Sequence, residues 1–453
     1  MPAVITETLK HNLIQLIYED VDSANYYIAV GRSEDWDSND AVKYPYPNLQ
    51  ESYNFRLGAQ AAKQVSDWSF VIPRFNWSSG AIYTSYDDNT IGHPVNSYYV
   101  LTDENNVYIC LRQAKNTNGN SLPSTVKPTG GTAKPFITSD GYVWKFLYGI
   151  GTVTASKFLA ANYMPVKLQP TTDVNSLAVD IQQEIIQNAA TAGQIAGVEV
   201  LAGGVGFTST PAITIVGNGI NAKASAVVSG GTISYVYLND SAGSITQGFG
   251  YNFANAIVTG GGGTGTRLRV ILGPKNGFGA DPKKDLRADA IMFNTKPDGI
   301  ENNTWVVNND FRQIALIRNP LVPVTGAPYT AAVGNMLRSM EFTAITSNFV
   351  PDHTIEGKTS GALAYVDKID GTTVWYHQTQ ETGFKAFIEG ETVEETDGSG
   401  AGVLEAAGID ADSYAYIEPD IDPFSGDILY IENRAAIARA PGQIEDIKII
   451  VQL

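Results

Sequence analysis

Residues 204–223, GVGFTSTPAITIVGNGINAK, return 44 positions later as residues 248–267, GFGYNFANAIVTGGGGTGTR. Gly204, Gly206, Phe207, Ile213, Gly217, Gly219 and Lys223 are matched by Gly248, Gly250, Tyr251, Ile257, Gly261, Gly263 and Arg267. Each copy opens on an alternating strand, VEVL or SYVYL. It turns at a glycine–aromatic pair, then runs through a second strand and a glycine cluster into a third strand. Short strands separated by glycine turns at a fixed period predict a small β module of two pseudo-equivalent halves. The surrounding stretch, 190–275, holds 18 of the 44 glycines and only six charged side chains. GGGGTG at 260–265 formally satisfies G-x-G-x-x-G, but the residues after it, TRLRVIL, read as a strand. A dinucleotide site needs a helix N-terminus there to hold the pyrophosphate, so the glycines are read as turns.

Outward from the repeat, the chain is mixed. Leu9, Leu13, Leu16 and Ile17 follow Thr6 at helical spacing, which predicts a helix with one face on a sheet. YYIAV (26–30) and WSFVIP (68–73) read as strands, Tyr53 to Gln64 as a weaker helix, and 95–112 and 141–150 as half-buried strands. Leu177, Ile181, Ile185 and Ala189 predict a helix over 175–192. Farther on, IEGKTSGALAYV (355–366) is echoed by FIEGETVEETDGSGAGVL (387–404). Glu356-Gly357 aligns with Glu389-Gly390, and six inserted residues precede Ser399-Gly400-Ala401. The fold class predicted is α+β, predominantly β. A core in three pieces, 1–189, 276–321 and 416–453, is interrupted by a glycine-rich β module at 190–275 and an acidic β module at 322–415.

The 453 residues carry 30 Lys plus Arg against 47 Asp plus Glu, a formal net charge of −17. That field repels phosphate backbones and argues against nucleic acid as a partner. Between Pro351 and Pro423 stand 16 acids and three lysines, a net of −13, which leaves −4 for the rest. The acidity therefore belongs to the second module, which is expected to be solvent-exposed. One cysteine, Cys110, allows no internal disulfide, and its place in VYICLR predicts a buried thiol. The N-terminus lacks the basic-then-apolar pattern of a secretory signal. No window is long and apolar enough for a membrane helix, so synthesis in the cytoplasm and no membrane partner are expected.

Reactive constellations are scarce. His11, His93, His353 and His377 are scattered without metal-ligand spacing, so no metal and no cofactor are expected. DIDPFSGDILYIE from Asp420 falls short of a calcium loop, because Phe424 and Ser425 occupy a ligand position and the glycine position. There is no G-x-S-x-G elbow and no P-loop. Carboxylate pairs for glycosidase work can come from any two strands, and the sequence selects none.

Several non-repetitive segments carry a resemblance. VGRSEDWDSN (30–39), VIPRFNW with Tyr83, SDGYVWKFLYGI (139–150), FRQIALIRNPL (311–321) and SGDILYIENRAAI (425–437) with the final EDIKIIVQL occur in that order. The series closely resembles segments of the baseplate wedge subunit of contractile-tailed bacteriophages that forms a homodimer within each wedge. It covers about the first 165 residues, the strip 311–321 and the last 30. The resemblance implies a virion structural protein with β-sandwich-like domains on a mixed core. Such a protein is dimeric, without catalysis, and bound to other wedge proteins through assembly and the rearrangement that triggers sheath contraction. Residues expected to serve such contacts are Arg32, Glu34 and Trp36 in GRSEDW, with Gly31 permitting a turn and Arg32 pairing with Glu34. The others are Arg74, Trp77, Trp144, Arg312 and Arg434, of which Arg74 and Arg434 are placed to meet carboxylates. A role confined to holding each monomer's own fold is the competing reading of the same residues. Two other functional readings stay open. One is a tail-associated carbohydrate-binding or polysaccharide-degrading protein. The other is a wedge subunit whose 190–275 module touches the host surface.

Overall fold

A computed structural model describes residues 5–36, 41–170, 177–240, 243–405 and 417–453. The end of the GRSEDWDSN segment, the first residues of the helix expected over 175–192, and the boundary at 415 lie outside these. The chain is predominantly β, 40% strand and 11% helix, in several antiparallel sheets. It divides into two compact units. The first comprises Met1–Leu16, Ser69–Met292 and Ile450–Leu453, and the second Ile17–Trp68 and Phe293–Ile449.

In the first unit a four-stranded sheet runs in the order Tyr99–Leu101, Asn106–Arg112, Val143–Gly149, Phe136–Ile137. Its core is aromatic, with Tyr83, Tyr108, Tyr142, Trp144 and Phe146 around Cys110. Cys110 is fully buried, and burial pushes its thiol far above the usual range. A disulfide-exchange reagent such as dithiobis(nitrobenzoate) is therefore expected to leave the native protein unlabelled and to react with one thiol on unfolding. Stoichiometric labelling of the native protein would contradict this burial.

The glycine-rich repeat forms a six-stranded sheet in the order Ala254–Thr259, Ala212–Gly217, Ala224–Ser229, Thr232–Leu238, Ile195–Val205, Thr264–Leu272. Equivalent strands of the two copies pair with each other, antiparallel, with Ile213 opposite Val258 and Thr214 opposite Ile257. The spacing of the glycines follows from an exchange of rings. A Cβ on Gly263 would lie 2.5 Å from the Phe207 ring, and one on Gly219 would lie 2.4 Å from the Tyr251 ring. Each copy's aromatic thus packs on the other copy's glycine, and both rings are buried in the module core.

Two helices differ from the sequence reading in what they bury. Helix Glu7–Ser23 buries His11 and Ile14, whereas Leu9, Leu13 and Leu16 are exposed by 46%, 42% and 61%. Helix Ala178–Asn188 likewise buries Gln183 and Ile186 and leaves Leu177, Ile181 and Ile185 on the surface. Inside, the Gln183 amide N–H donates to Lys167 O at 2.7 Å, which satisfies the donor side of the group.

In the second unit a five-stranded antiparallel sheet is ordered Val333–Asn335, Ala59–Gln64, Tyr26–Gly31, Asp310–Arg318, Asp427–Ala438. The expected helix over 53–64 is instead Leu49–Leu57, capped by the Asn48 side chain and stopped at Gly58, followed by the strand Ala59–Gln64. Alanine favours helix locally. Here Ala59, Ala61 and Ala62 are buried in an inner strand paired on both sides, with Tyr26–Gly31 and Val333–Asn335.

The acidic stretch contains a closed six-stranded barrel: Arg338–Ser347, Thr373–His377, Leu363–Asp370, Thr354–Gly357, Thr392–Glu395, Ala401–Leu404. Its internal repeat runs in a different register from the sequence alignment. Phe349 and Phe387 both enter the barrel core, and the hairpin from Thr354–Gly357 corresponds to the one from Thr392–Glu395. FVPDHTIEG (349–357) therefore matches FIEGETVEE (387–395) with no insertion. The expected exposure of the acidic stretch holds only in part, since Asp367, Glu391 and Glu395 are buried. Glu391 accepts hydrogen bonds from the N–H groups of Thr359, Ser360 and Ile388 at 3.0, 2.9 and 2.7 Å. It works as an internal cap of the turn that Gly357 and Ser360 open.

Candidate functional site

Five of the eight expected contact residues meet in the second unit, around the loop that leaves the strand Tyr26–Gly31. Gly31 is required for a close approach and not for a turn, because a Cβ there would lie 2.6 Å from Gly58 O. The left-handed residue is Arg32, at φ 61°, a conformation that costs a non-glycine residue roughly 1–2 kcal/mol. Its surroundings hold it there. Arg32 N–H donates to Gly58 O at 2.8 Å, and its carbonyl accepts from Arg312 N–H at 2.9 Å. The Arg32 guanidinium lies 4.3 Å over the Trp36 ring and donates to Asp35 O at 3.0 Å. Trp36 is buried, and its indole N–H donates to Arg434 O at 2.8 Å. The Arg434 side chain pairs with Glu432 on its own strand, at 2.8 Å.

Arg312 fastens this loop to the sheet. Its guanidinium, 6% exposed, reaches Asp35 at 2.5 Å and also binds Asp310 and the carbonyl of Ser33. Burial of the guanidinium makes these charge-assisted contacts stronger than a fully exposed ion pair, although the Asp35 side chain itself stays on the surface.

Glu34 takes a partner the sequence did not suggest. Its carboxylate faces His377 rather than Arg32, with Nε2 to Oε1 at 3.1 Å, an ion pair not aligned as a hydrogen bond. On its other side His377 Nδ1 lies 2.5 Å from Asp367 Oδ2, and its ring stacks on Tyr365. His377 and Asp367 are 2% and 0% exposed. Burial alone would lower the His377 pKa, but the two carboxylates outweigh it and raise it well above the usual value. Burial likewise pushes Glu34 up, yet the imidazolium holds its carboxyl down to about 2. The result is a charged knot of Arg312, His377, Glu34, Asp35, Asp310 and Asp367 that ties the loop 31–36 to the barrel strands Leu363–Asp370 and Thr373–His377. The sequence signal was faint: a histidine and an aspartate ten residues apart on two strands, in a stretch read as exposed.

The other three expected residues lie apart, in the first unit. Arg74 donates to Asn76 Oδ1 at 2.9 Å and to Ala160 O at 3.0 Å, and among the described residues it pairs with no carboxylate. Trp77 donates to the Ser124 hydroxyl at 3.1 Å. Trp144 is fully buried, stacked on Tyr142 at 5.6 Å, and serves the aromatic core.

His353, Glu395 and Asp397 bring ligand-type atoms within 4.8 Å of one another. Their contacts account for the grouping without an ion. Glu395 already accepts from Val350 N–H at 2.5 Å and from the Ser399 hydroxyl, while His353 at 2.9 Å supplies a counter-charge.

What the knot can do is mechanical. It holds the loop residue Arg32, in its left-handed conformation, and the barrel in one arrangement through charges that, Asp35 apart, are largely buried. Comparison with protein-family models and with curated proteins finds no match.

Proposed function

We propose that this protein is a structural subunit of a phage tail baseplate wedge, assembled in the host cytoplasm, that pairs with a second copy and binds other wedge proteins without catalysing a reaction. The observation that carries this reading is the pair of exposed apolar stripes, Leu9–Leu13–Leu16 and Leu177–Ile181–Ile185. Each follows the helical repeat that normally faces a core, and apolar patches rimmed by polar residues mark association surfaces. The resemblance adds support. Three of its segments, 30–36, 311–321 and 425–437, contribute the neighbouring strands Tyr26–Gly31, Asp310–Arg318 and Asp427–Ala438. The last of these is a 12-residue edge strand of its sheet, a natural pairing surface.

The reading expects a dimer by sedimentation velocity and stoichiometric recovery with other tail proteins from phage lysates. The double substitution Leu13→Glu, Leu16→Glu is expected to abolish at least one of these associations. The melting temperature should shift little, because surface changes of this kind fall within about 0.5 kcal/mol. A concentration-independent monomer that fails to enter tails would overturn the proposal.

A further inference from the structure

The glycine-rich module has a second side that its own core does not use. On the strand Thr232–Leu238, Ile233, Val236 and Leu238 are buried in the module core. Ser234, Tyr235 and Tyr237 instead line a cavity of about 320 Å³, whose facing wall includes Arg112 and Gln113. That volume lies in the range of small-ligand clefts, roughly 300–1,000 Å³. The two tyrosine rings sit 5.8 Å apart, tilted by 37°, and together make a nearly continuous aromatic wall.

The lining carries two cations, Arg112 and Lys115, and two acids, Asp87 and Glu199. Arg112 lies 5.5 Å over the Tyr237 ring and donates one long bond, 3.3 Å, to Gly141 O. Among the described residues no carboxylate forms an ion pair with it, and burial without a counter-charge lowers its pKa. The nearest acids are engaged elsewhere. Asp87 and Glu199 are held by Arg269 at 2.6 and 2.7 Å, and Asp88 also at 2.6 Å. A half-buried guanidinium with free donors beside an aromatic wall suits a ligand that is ringed, hydroxylated and anionic.

We infer that this cleft binds an anionic saccharide, with its ring stacked on Tyr235 and Tyr237 and its carboxylate or phosphate paired with Arg112. Gln113 and Ser234 are the groups within the cleft for ring hydroxyls, and Lys115, at the rim, adds a second positive charge. The inference goes beyond the wedge role, which requires no ligand here.

Calorimetric titration of the full chain tests it with three probes: trigalacturonate, which offers carboxylates; mannose 6-phosphate, which offers a phosphate; and neutral maltotriose. Saturable binding of either anionic probe is expected, with maltotriose weaker by about tenfold or more. Which anionic probe binds identifies the group that Arg112 recognises. Arg112→Gln and, on the opposite wall, Tyr235→Ala should each weaken binding by about tenfold or more, while Arg112→Lys should fall between Gln and wild type. An unchanged melting temperature separates these losses from misfolding. Three results would overturn the inference: no saturation by either anionic probe at millimolar concentration, equal binding of maltotriose, or binding that survives both substitutions. The cleft covered by an acidic segment of a neighbouring subunit, with no sugar bound, would overturn it as well. Entry of Arg112→Gln into tails reports separately on the wedge reading.

Discussion

Replacing His377 by leucine is expected to destabilise the second unit by about 3–5 kcal/mol, since removing one partner of a buried charge group strands the others. Asp367 and Glu34 would be left facing each other with 0% and 16% exposure and no cation between them. The pH dependence has a definite sign. The native state raises the His377 pKa above 6.5, so the folded protein holds this proton more tightly than the unfolded chain. That contribution is complete below about pH 6.5 and is lost as pH rises through the native value. Glu34, held down to about 2 from 4.5, reports the same contact from the acid side, with stability lost as pH falls from 4.5 toward 2. Asp352 acts in the opposite sense. Partial desolvation and the nearby Asp310 and Asp367 carboxylates push this surface carboxyl from 3.8 up to about 6, so the native state is progressively disfavoured as pH rises across that interval. Thermal unfolding across about pH 4 to 9 should therefore show an alkaline decline in the second unit's stability above about 6.5. That decline should be absent from His377→Leu. A variant that melts like wild type, or keeps the alkaline slope, would show that the knot carries no such energy.

Phe207→Ala is expected to cost about 3–5 kcal/mol, the usual penalty for emptying a buried aromatic site. Gly263→Ala should cost about 1–3 kcal/mol in the wild-type background, because its methyl would meet the Phe207 ring at 2.5 Å. The two substitutions should not add. With the ring gone the methyl has room, so the penalty at Gly263 should largely vanish in the double variant, a coupling well outside experimental additivity. Equilibrium denaturation of the four proteins measures it. Strict additivity would mean that the ring-on-glycine contact does not explain the repeat.

Much of the fold was legible because it is locally encoded. Alternation and glycine spacing marked the strands on either side of each turn, and the 44-residue period marked the module. The same sequence misplaced the two helical stripes. Periodicity reports that a face is apolar, but not whether another part of this chain or another molecule covers it. The strand at 59–64 reads as helix because alanine's local preference is for helix, whereas its burial between the strands Tyr26–Gly31 and Val333–Asn335 makes it a strand. The register of the barrel repeat was missed because two glutamates with different numbers in the repeat, Glu391 and Glu395, do similar capping work in the two halves.

The candidate site divides the same way. Arg32, Glu34, Trp36, Arg312 and Arg434 could be named from their segments, since unusual clusters of charge and tryptophan stand out in a chain with 17% charged residues. Their partners could not. That Glu34 meets His377, that Arg312 reaches Asp35 across 277 positions, and that Arg112 pairs with no carboxylate among the described residues are facts of long-range approach. By itself the sequence determined the β class, the repeat and the overall acidity, which depend on composition and on neighbours a few residues apart. The tertiary structure alone decided which charges are desolvated and paired and which apolar faces remain open. Those outcomes depend on distances and on the exclusion of water between segments hundreds of residues apart.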